Sequence, residues 1–223
     1  MALTDDAITK IKDMIIGGQL SPGERLPPEK ELSEQLGLSR NSLREAVKAL
    51  EAVRVLDVRR GDGTYVTSLE PRLLQESTAF MVDLHADTSL VELFEVRRIL
   101  ESSAAGIAAG RITAEELGRL EEDISAVDPA SVEDLIEHDL RFHEGIADAA
   151  GNGYLSGLLA GLNSRTVRAR IWRGLTEQDA VERTLAEHRG IVAALRSGDV
   201  ELARAATMLH VSAVEQWVKD TLV

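Results

Sequence analysis

The stretch Pro27–Val66, PPEKELSEQLGLSRNSLREAVKALEAVRVLDVRRGDGTYV, decides the fold of the N-terminal part of this chain. Glu29–Leu36 carries Leu32 and Leu36 at helical spacing, and Gly37 supplies the positive-φ position that ends such a helix. Ser39 is the N-cap of a second helix, on which Leu43, Val47 and Leu50 form an apolar stripe. Arg40, Asn41, Ser42 and Arg44 fall in its first turns, the end that a recognition helix points at base edges. Residues 55–58 then form a short β-prone run, residues 59–63 turn, and residues 64–66 return. The Gly61-Asp62-Gly63 tip has the freedom that a hairpin needs, and Arg59 and Arg60 place positive charge beside it. Two helices, a Gly turn and a Gly-tipped hairpin, in that order, predict a winged helix-turn-helix and hence a DNA partner.

Composition bounds the rest. The chain has 223 residues, enough for one small domain and one of ordinary size. Hydrophobic residues make up 44% and aromatics only 3%, which predicts cores of Leu, Ala and Val between helices. No apolar run approaches the ~20 residues of a membrane span. The N-terminus lacks the basic start and apolar centre of a signal peptide, so the expected location is the cytoplasm, with no membrane partner. With no cysteine, disulfides and thiolate metal sites are excluded.

The net charge of −13 looks wrong for a protein that meets DNA. Residues 1–70 hold 10 basic and 12 acidic side chains, against 15 and 26 in the remainder, so most of the acid lies in the second part. A DNA face must therefore be basic by placement. Steep salt sensitivity and modest nonspecific affinity are the expected consequences.

After Val66 almost nothing reads as a strand. A long helix starts at Leu90 and runs to about Ala109. Thr113–Glu116 is a capping box opening the next, and Ser131 caps a third through Ile136, Leu140 and Ile146. Further helices are expected over about Tyr154–Trp172, Asp179–Arg196 and Val200–Leu222. The expected class is mainly α: an N-terminal winged helix-turn-helix plus a C-terminal all-α antiparallel helical bundle. The expected domains are 1–68 for DNA, 69–87 for a linker and connecting helix, and 88–223 for ligand or metal binding and dimerisation.

Asp139 and His143, four residues apart, share one helix face, while His188 and His210 sit midway along the last two helices. Convergence of the four inside a bundle would make a divalent-metal site; the alternative is histidines that are solvent-exposed or singly hydrogen-bonded. His138 points about 100° away from Asp139 on the same helix and is left out of the set. His85 is expected to be solvated.

Three motifs, IIGGQLSPGERLPPEKEL (15–32), LSRNSLREAVKALE (38–51) and RGDGTYV (60–66), resemble the GntR family of bacterial transcription regulators. The resemblance implies DNA contacts from Lys30, Arg40, Asn41, Ser42, Arg44, Arg60 and Gly61. Lys30 stands for an arginine common there, keeping the charge but losing the bidentate fork, and Arg54 stands where many members have glycine. Further on, EVRRILE (95–101), DLRFH (139–143), Asn152, Glu187-His188, Gly198-Asp199 and His210 resemble the ligand domain of the FadR-type subfamily. Its metal-bearing members imply Asp139, His143, His188 and His210 as ligands of a divalent ion, zinc first, with nickel and manganese as alternatives. Members that sense acyl-CoA lack that set.

The ion would leave one or two positions open for a small carboxylate effector. Arg97 is the expected cation for its far end, and Asn163 and Arg165 are further candidates; an Arg97–Glu101 surface pair is the competing reading. The expected protein is a homodimeric, metabolite-responsive regulator, a repressor by family habit, reading a pseudo-palindromic double-stranded operator. A second reading makes the metal itself the signal. A third, a metal-dependent hydrolase or lyase, needs a general base, and Glu187, the only candidate, should point away from the ion.

Overall fold

The computed structural model describes residues 2–84, 90–177 and 179–222, with the side chains of residues 2, 3, 164, 165, 168 and 222 outside the described set. His85 lies outside the described residues, as does the side chain of Arg165. The chain divides into two compact units, Met1–Leu73 and Leu74–Val223.

In the first unit, α1 (Ala2–Ile16), α2 (Glu29–Leu36) and α3 (Arg40–Ala52) precede a hairpin of β1 (Leu56–Arg59) and β2 (Gly63–Val66). Sequence reasoning passed over α1, although Ala7, Ile11 and Met14 recur at i, i+4 and i+7 and pack into the core with Leu32, Leu43, Ala46, Leu50, Leu56 and Val66. Gly37 closes α2 at φ 65°, and the Ser39 hydroxyl accepts from Ser42 N at the head of α3. The strands pair antiparallel from Leu56 opposite Val66 to Arg59 opposite Gly63, one residue later than the β-prone run suggested for β1. A third segment runs beside β2: Leu26 N donates to Thr64 O, and Val66 N donates to Glu24 O. Gly23, at φ 81°, turns the chain into that position. Arg54 adopts φ 61°, the left-handed conformation that a glycine would take without strain.

Among its described residues the second unit is built from helices joined by short turns: α4 (Leu73–Leu84), which starts at the last residue of the first unit, α5 (Leu90–Ala109), α6 (Ala114–Ala126), α7 (Val132–Ala149), α8 (Gly153–Thr176), α9 (Ala180–Ser197) and α10 (Val200–Leu222). The capping box at Thr113 and Glu116 forms in full, and Ser131 and Asn152 cap α7 and α8. The most extensive pairing joins α5 and α10, while α7 packs on α5, α6 and α8. Small side chains permit the close approach: Ala104, Ala105 and Ala108 of α5 and Ala203 of α10 are all buried. Helix α8 runs a turn beyond the expected Trp172, because Arg173 is buried there and its Nε donates to Glu177 at 2.5 Å. Two apolar clusters, one around Phe142, Ile146 and Ile191 and one around Phe94, Val211 and Val218, fill the interior.

Candidate functional sites

Helix α7 buries two adjacent rows of side chains, His138–Phe142 and Asp139–His143–Ile146. The second row meets His188 of α9 and His210 of α10, and the donor atoms of Asp139, His143, His188 and His210 all lie within 4.8 Å of one another. His188 Nε2 and His210 Nε2 are 3.3 Å apart. Asp139 Oδ1 is 3.6 Å from His143 Nε2 and 3.7 Å from His188 Nε2. A metal–donor distance of about 2.1 Å gives donor–donor edges of about 3.4 Å at tetrahedral angles, close to these separations. This group of three histidines and one aspartate could hold a divalent metal ion.

The opposite nitrogen of each ring is held from outside. His210 Nδ1 is 2.6 Å from Glu187 Oε2. His143 Nδ1 lies 2.7 Å from Glu101 Oε2, somewhat off the line of an ideal hydrogen bond. His188 Nδ1 is 2.8 Å from His138 Nε2, and His138 Nδ1 is 2.6 Å from Asp123 Oδ2. A carboxylate accepts only, so the network assigns the proton to Nδ1 of His138, then to Nδ1 of His188, and to Nδ1 of His210. Lone pairs on Nε2 of His188 and His210 are thereby directed inward, and His143 Nε2 faces Asp139 beside them. Facing lone pairs repel, and a cation relieves that repulsion. Phe142 stacks on the His188 ring with centroids 4.0 Å apart, fixing its plane.

Electrostatics favour the same state. Burial pushes the His188 imidazole well below its usual range, and the neighbouring His210, His143 and His138 rings add to the effect. Burial likewise lowers His210, against the opposing pull of Glu187, and lowers His138, against that of Asp123. Neutral rings are what metal coordination requires. Glu101 is held well below the ordinary carboxylate range by Arg97 and His143, which outweigh a large opposing effect of burial.

Arg97 is 2% exposed, so its pairing with Glu101 at 2.5 Å is a buried contact and not a superficial helix pair. Its Nη1 also donates to Thr166 at 3.0 Å. Asn163 lines a small cavity with Glu101 and His143. Sequence reasoning missed His138, Glu187, Glu101, Asp123 and Arg170. Arg170 forms an ion pair with Asp139 from the inward stripe Asn163–Thr166–Arg170–Arg173 of α8. Glu187 does point away from the centre, but into contact with the outer nitrogen of His210.

On the first unit, Lys30, Arg40, Asn41, Arg44, Arg60 and Gly61 are exposed. Ser42 is buried, with its hydroxyl 2.8 Å from Ser39 Oγ, and serves the helix start. Arg44 Nε donates to Glu29 at 2.8 Å, a partner that sequence reasoning did not name. In the wing, Arg59 is paired with Asp57 and sits 4.1 Å above the Tyr65 ring, while Arg25 reaches Asp62 O.

A winged helix-turn-helix joined to a helical domain with a polar interior centre defines a ligand-responsive DNA-binding regulator of transcription. Residues 3–66 match the family described as bacterial regulatory proteins, gntR family, and residues 92–213 match the FCD domain. The chain is 30% identical to the HTH-type transcriptional regulator LutR of Bacillus subtilis, over 91% of this chain and 94% of that one. It is 28% identical to the Galactonate operon transcriptional repressor of Escherichia coli, over 97% of both. A solved structure, Streptococcus agalactiae GntR, superposes with a TM-score of 0.68 at 28% identity, covering 96% of this chain and all of that one. The chain belongs to the GntR family of bacterial transcription regulators and carries an FCD domain. Its relatives are regulators and not enzymes. None of its described helices is long and apolar enough to cross a membrane.

Proposed function

We propose that this regulator binds a pseudo-palindromic operator as a homodimer, and that a small carboxylate bound at a metal centre in its FCD domain controls its grip. The observation that carries this reading is the set of three inward-facing Nε2 atoms beside Asp139, with the outer nitrogens of His188 and His210 hydrogen-bonded and that of His143 2.7 Å from Glu101. Asp139, His143, His188 and His210 hold the ion; zinc suits three imidazoles and one carboxylate, and nickel and manganese are the alternatives. When bound, the ion supplies a fixed positive charge with coordination positions that a carboxylate can take. The kinship with a galactonate operon repressor supports a small organic acid as effector and repression as the mode.

Lys30, Arg40, Asn41, Arg44, Arg60 and Gly61 form the DNA face, with Ser42 supporting it from beneath. Two copies reading two half-sites gain affinity and specificity together. The acid acts by preferring one arrangement of the DNA-reading units over another.

One observation favours a second reading, in which the ion alone is the signal. The cavity beside Asp139, Arg170 and His210 is only about 20 Å³ in volume, room for a water but not for an organic acid without movement. Metal analysis with native mass spectrometry of the purified protein separates the two. A carried-through acid on a metal-loaded dimer supports the first, and DNA affinity that follows free metal with no acid supports the second. Protein without metal affinity sinks both.

A further inference from the structure

The polar face of α8 contains a cation that the metal centre alone does not explain. Arg170 and Arg97 approach the same hydroxyl, Thr166 Oγ1, but their situations differ. Arg97 is committed, with Nε on Glu101 at 2.5 Å and Nη1 on Thr166 at 3.0 Å. Among the described residues Arg170 has one strong partner, Asp139, which it reaches through Nη1. Its other contacts are at the limit of hydrogen bonding: Nη2 is 3.5 Å from both Asn163 Oδ1 and Thr166 Oγ1, and Nε is 3.4 Å from Thr166 O. A guanidinium has five N–H donors in a planar fork, so Arg170 keeps unused capacity. It lines the 20 Å³ cavity together with Asp139, Arg173 and His210.

Charge bookkeeping shows what that capacity is for. Arg97, Glu101 and Asp139 are buried and the Arg170 side chain is only 9% exposed, and these two guanidiniums and two carboxylates together sum to zero charge. Adding a divalent ion leaves this interior two charges positive. Glu187, on the outer nitrogen of His210 with 27% of its side chain exposed, offsets part of the excess. An anion is needed for the rest. A carboxylate fits a guanidinium fork in two parallel hydrogen bonds, but the cavity cannot admit one while Arg170 stays on Asp139.

We infer that Arg170 exchanges Asp139 for the effector's carboxylate, and that this exchange couples acid binding to metal binding. The inference rests on the metal-centre reading above. While Arg170 holds Asp139 it draws electron density from that carboxylate and weakens it as a metal donor. Once the acid takes Arg170, Asp139 serves the ion alone and the ion is held more tightly. By linkage the ion strengthens acid binding by the same factor.

The test measures Zn²⁺ affinity of the full-length protein by competition with a chromophoric chelator, with and without glycolate, the smallest hydroxy acid, after correction for glycolate's own zinc binding. In the unaltered protein glycolate should tighten Zn²⁺ binding about fivefold or more. Arg170→Gln should bind Zn²⁺ about tenfold more tightly than the unaltered protein without glycolate, and glycolate should then change nothing. Arg170→Lys keeps the charge and loses the fork, so it should show ordinary Zn²⁺ affinity with a reduced glycolate effect. A second measurement needs no substitution: exchange of the Arg170 Nε proton, followed by NMR in Zn²⁺-loaded protein, should slow at least about tenfold when glycolate is added, because hydrogen bonds to the carboxylate replace marginal contacts. Zinc affinity in Arg170→Gln that is unchanged or weaker overturns the exchange. So does a glycolate effect retained in that variant, or one absent from the unaltered protein. Failure of the unaltered protein to bind Zn²⁺ at all overturns the metal centre itself, a result distinct from the others.

Discussion

His138 Nε2 lies 2.8 Å from His188 Nδ1, so a histidine outside the group of four donors sets the tautomer of one within it. Asp123 completes the relay at 2.6 Å from His138 Nδ1. An amide at its end can donate to His138 Nδ1, which moves the His138 proton to Nε2 and lets the His188 ring lose its inward lone pair. Asp123→Asn should therefore lower Zn²⁺ affinity by about 10- to 100-fold while the fold persists. Chelator competition and a thermal melt of the metal-free protein check both halves, and unaltered affinity would show that the relay does not tune the centre.

The same buried rings set a pH dependence in the metal-free protein. His188 and His210 are pushed below the ordinary histidine range, first by burial. The unfolded chain therefore takes up protons below about pH 6.5 that the folded chain refuses, and stability falls as pH drops through that value. Above it both states are neutral and these rings add no slope. Melts of chelator-treated protein from pH 8 to pH 5 should be flat at the upper end and decline below about pH 6.5. His188→Gln should flatten the decline, and an equally steep fall in that variant would place its origin elsewhere.

If the proposed centre binds Zn²⁺, loading should stabilise the protein by mass action, because the four donors converge in the folded chain. At a free Zn²⁺ concentration a hundred times the dissociation constant, the gain is about 2.7 kcal/mol. Chelator should lower the melting temperature accordingly, and His210→Ala should abolish the difference between loaded and stripped protein. A melting temperature indifferent to zinc would argue against the centre.

Elements with a strong local signature were readable from the sequence. The Gly37 stop, the Ser39 cap, the Thr113–Glu116 box and the 90–109 helix all form as expected, since each rests on contacts within a few residues. Helix α1 was readable too, from Ala7, Ile11 and Met14, but it lies outside the motif that dominates this part of the chain. The outer partners of the centre were not readable. The angular argument that set His138 aside assumes one inward face per helix, whereas α7 packs on α5, α6 and α8 and buries two rows. Glu187 was expected to point away from the ion, and its carboxylate lies 2.6 Å from the outer nitrogen of His210. That helical geometry could not say which ring from another helix would be waiting there. Arg170 is one of several arginines on α8, and only tertiary packing distinguishes it.

Arg54 tests the cost of a backbone conformation. At φ 61° its Cβ crowds the preceding carbonyl, and Thr67 Oγ1 fixes the turn by donating to Arg54 O at 2.8 Å. Arg54→Gly should stabilise the first unit by relieving about 1 kcal/mol of strain, less the extra freedom that glycine has in the unfolded chain. A melt of the full chain should show the DNA-reading unit unfolding a few degrees higher, and a fall would mean that the arginine side chain contributes more than the turn costs.

The face proposed to meet DNA holds its charges unequally, and this gives opposite expectations for two neighbouring groups. Arg40 is exposed in the first turn of α3, whereas Arg44, one turn on, donates to Glu29 of α2 across 2.8 Å. Arg40→Ala removes a positive contact. It should weaken binding and, if the contact is to phosphate, flatten the dependence of log K on log salt by about 0.9. Glu29→Gln leaves every cation in place, removes an acidic charge from the face and frees Arg44 from its partner. Nonspecific affinity should rise severalfold and discrimination between operator and random duplex should shrink, because Arg44 is then no longer restrained to one direction. Fluorescence anisotropy with both duplexes over a salt series measures the two quantities at once. Weaker binding by Glu29→Gln to both duplexes would mean that the Glu29–Arg44 pair aims the arginine, and that its orienting role outweighs its negative charge.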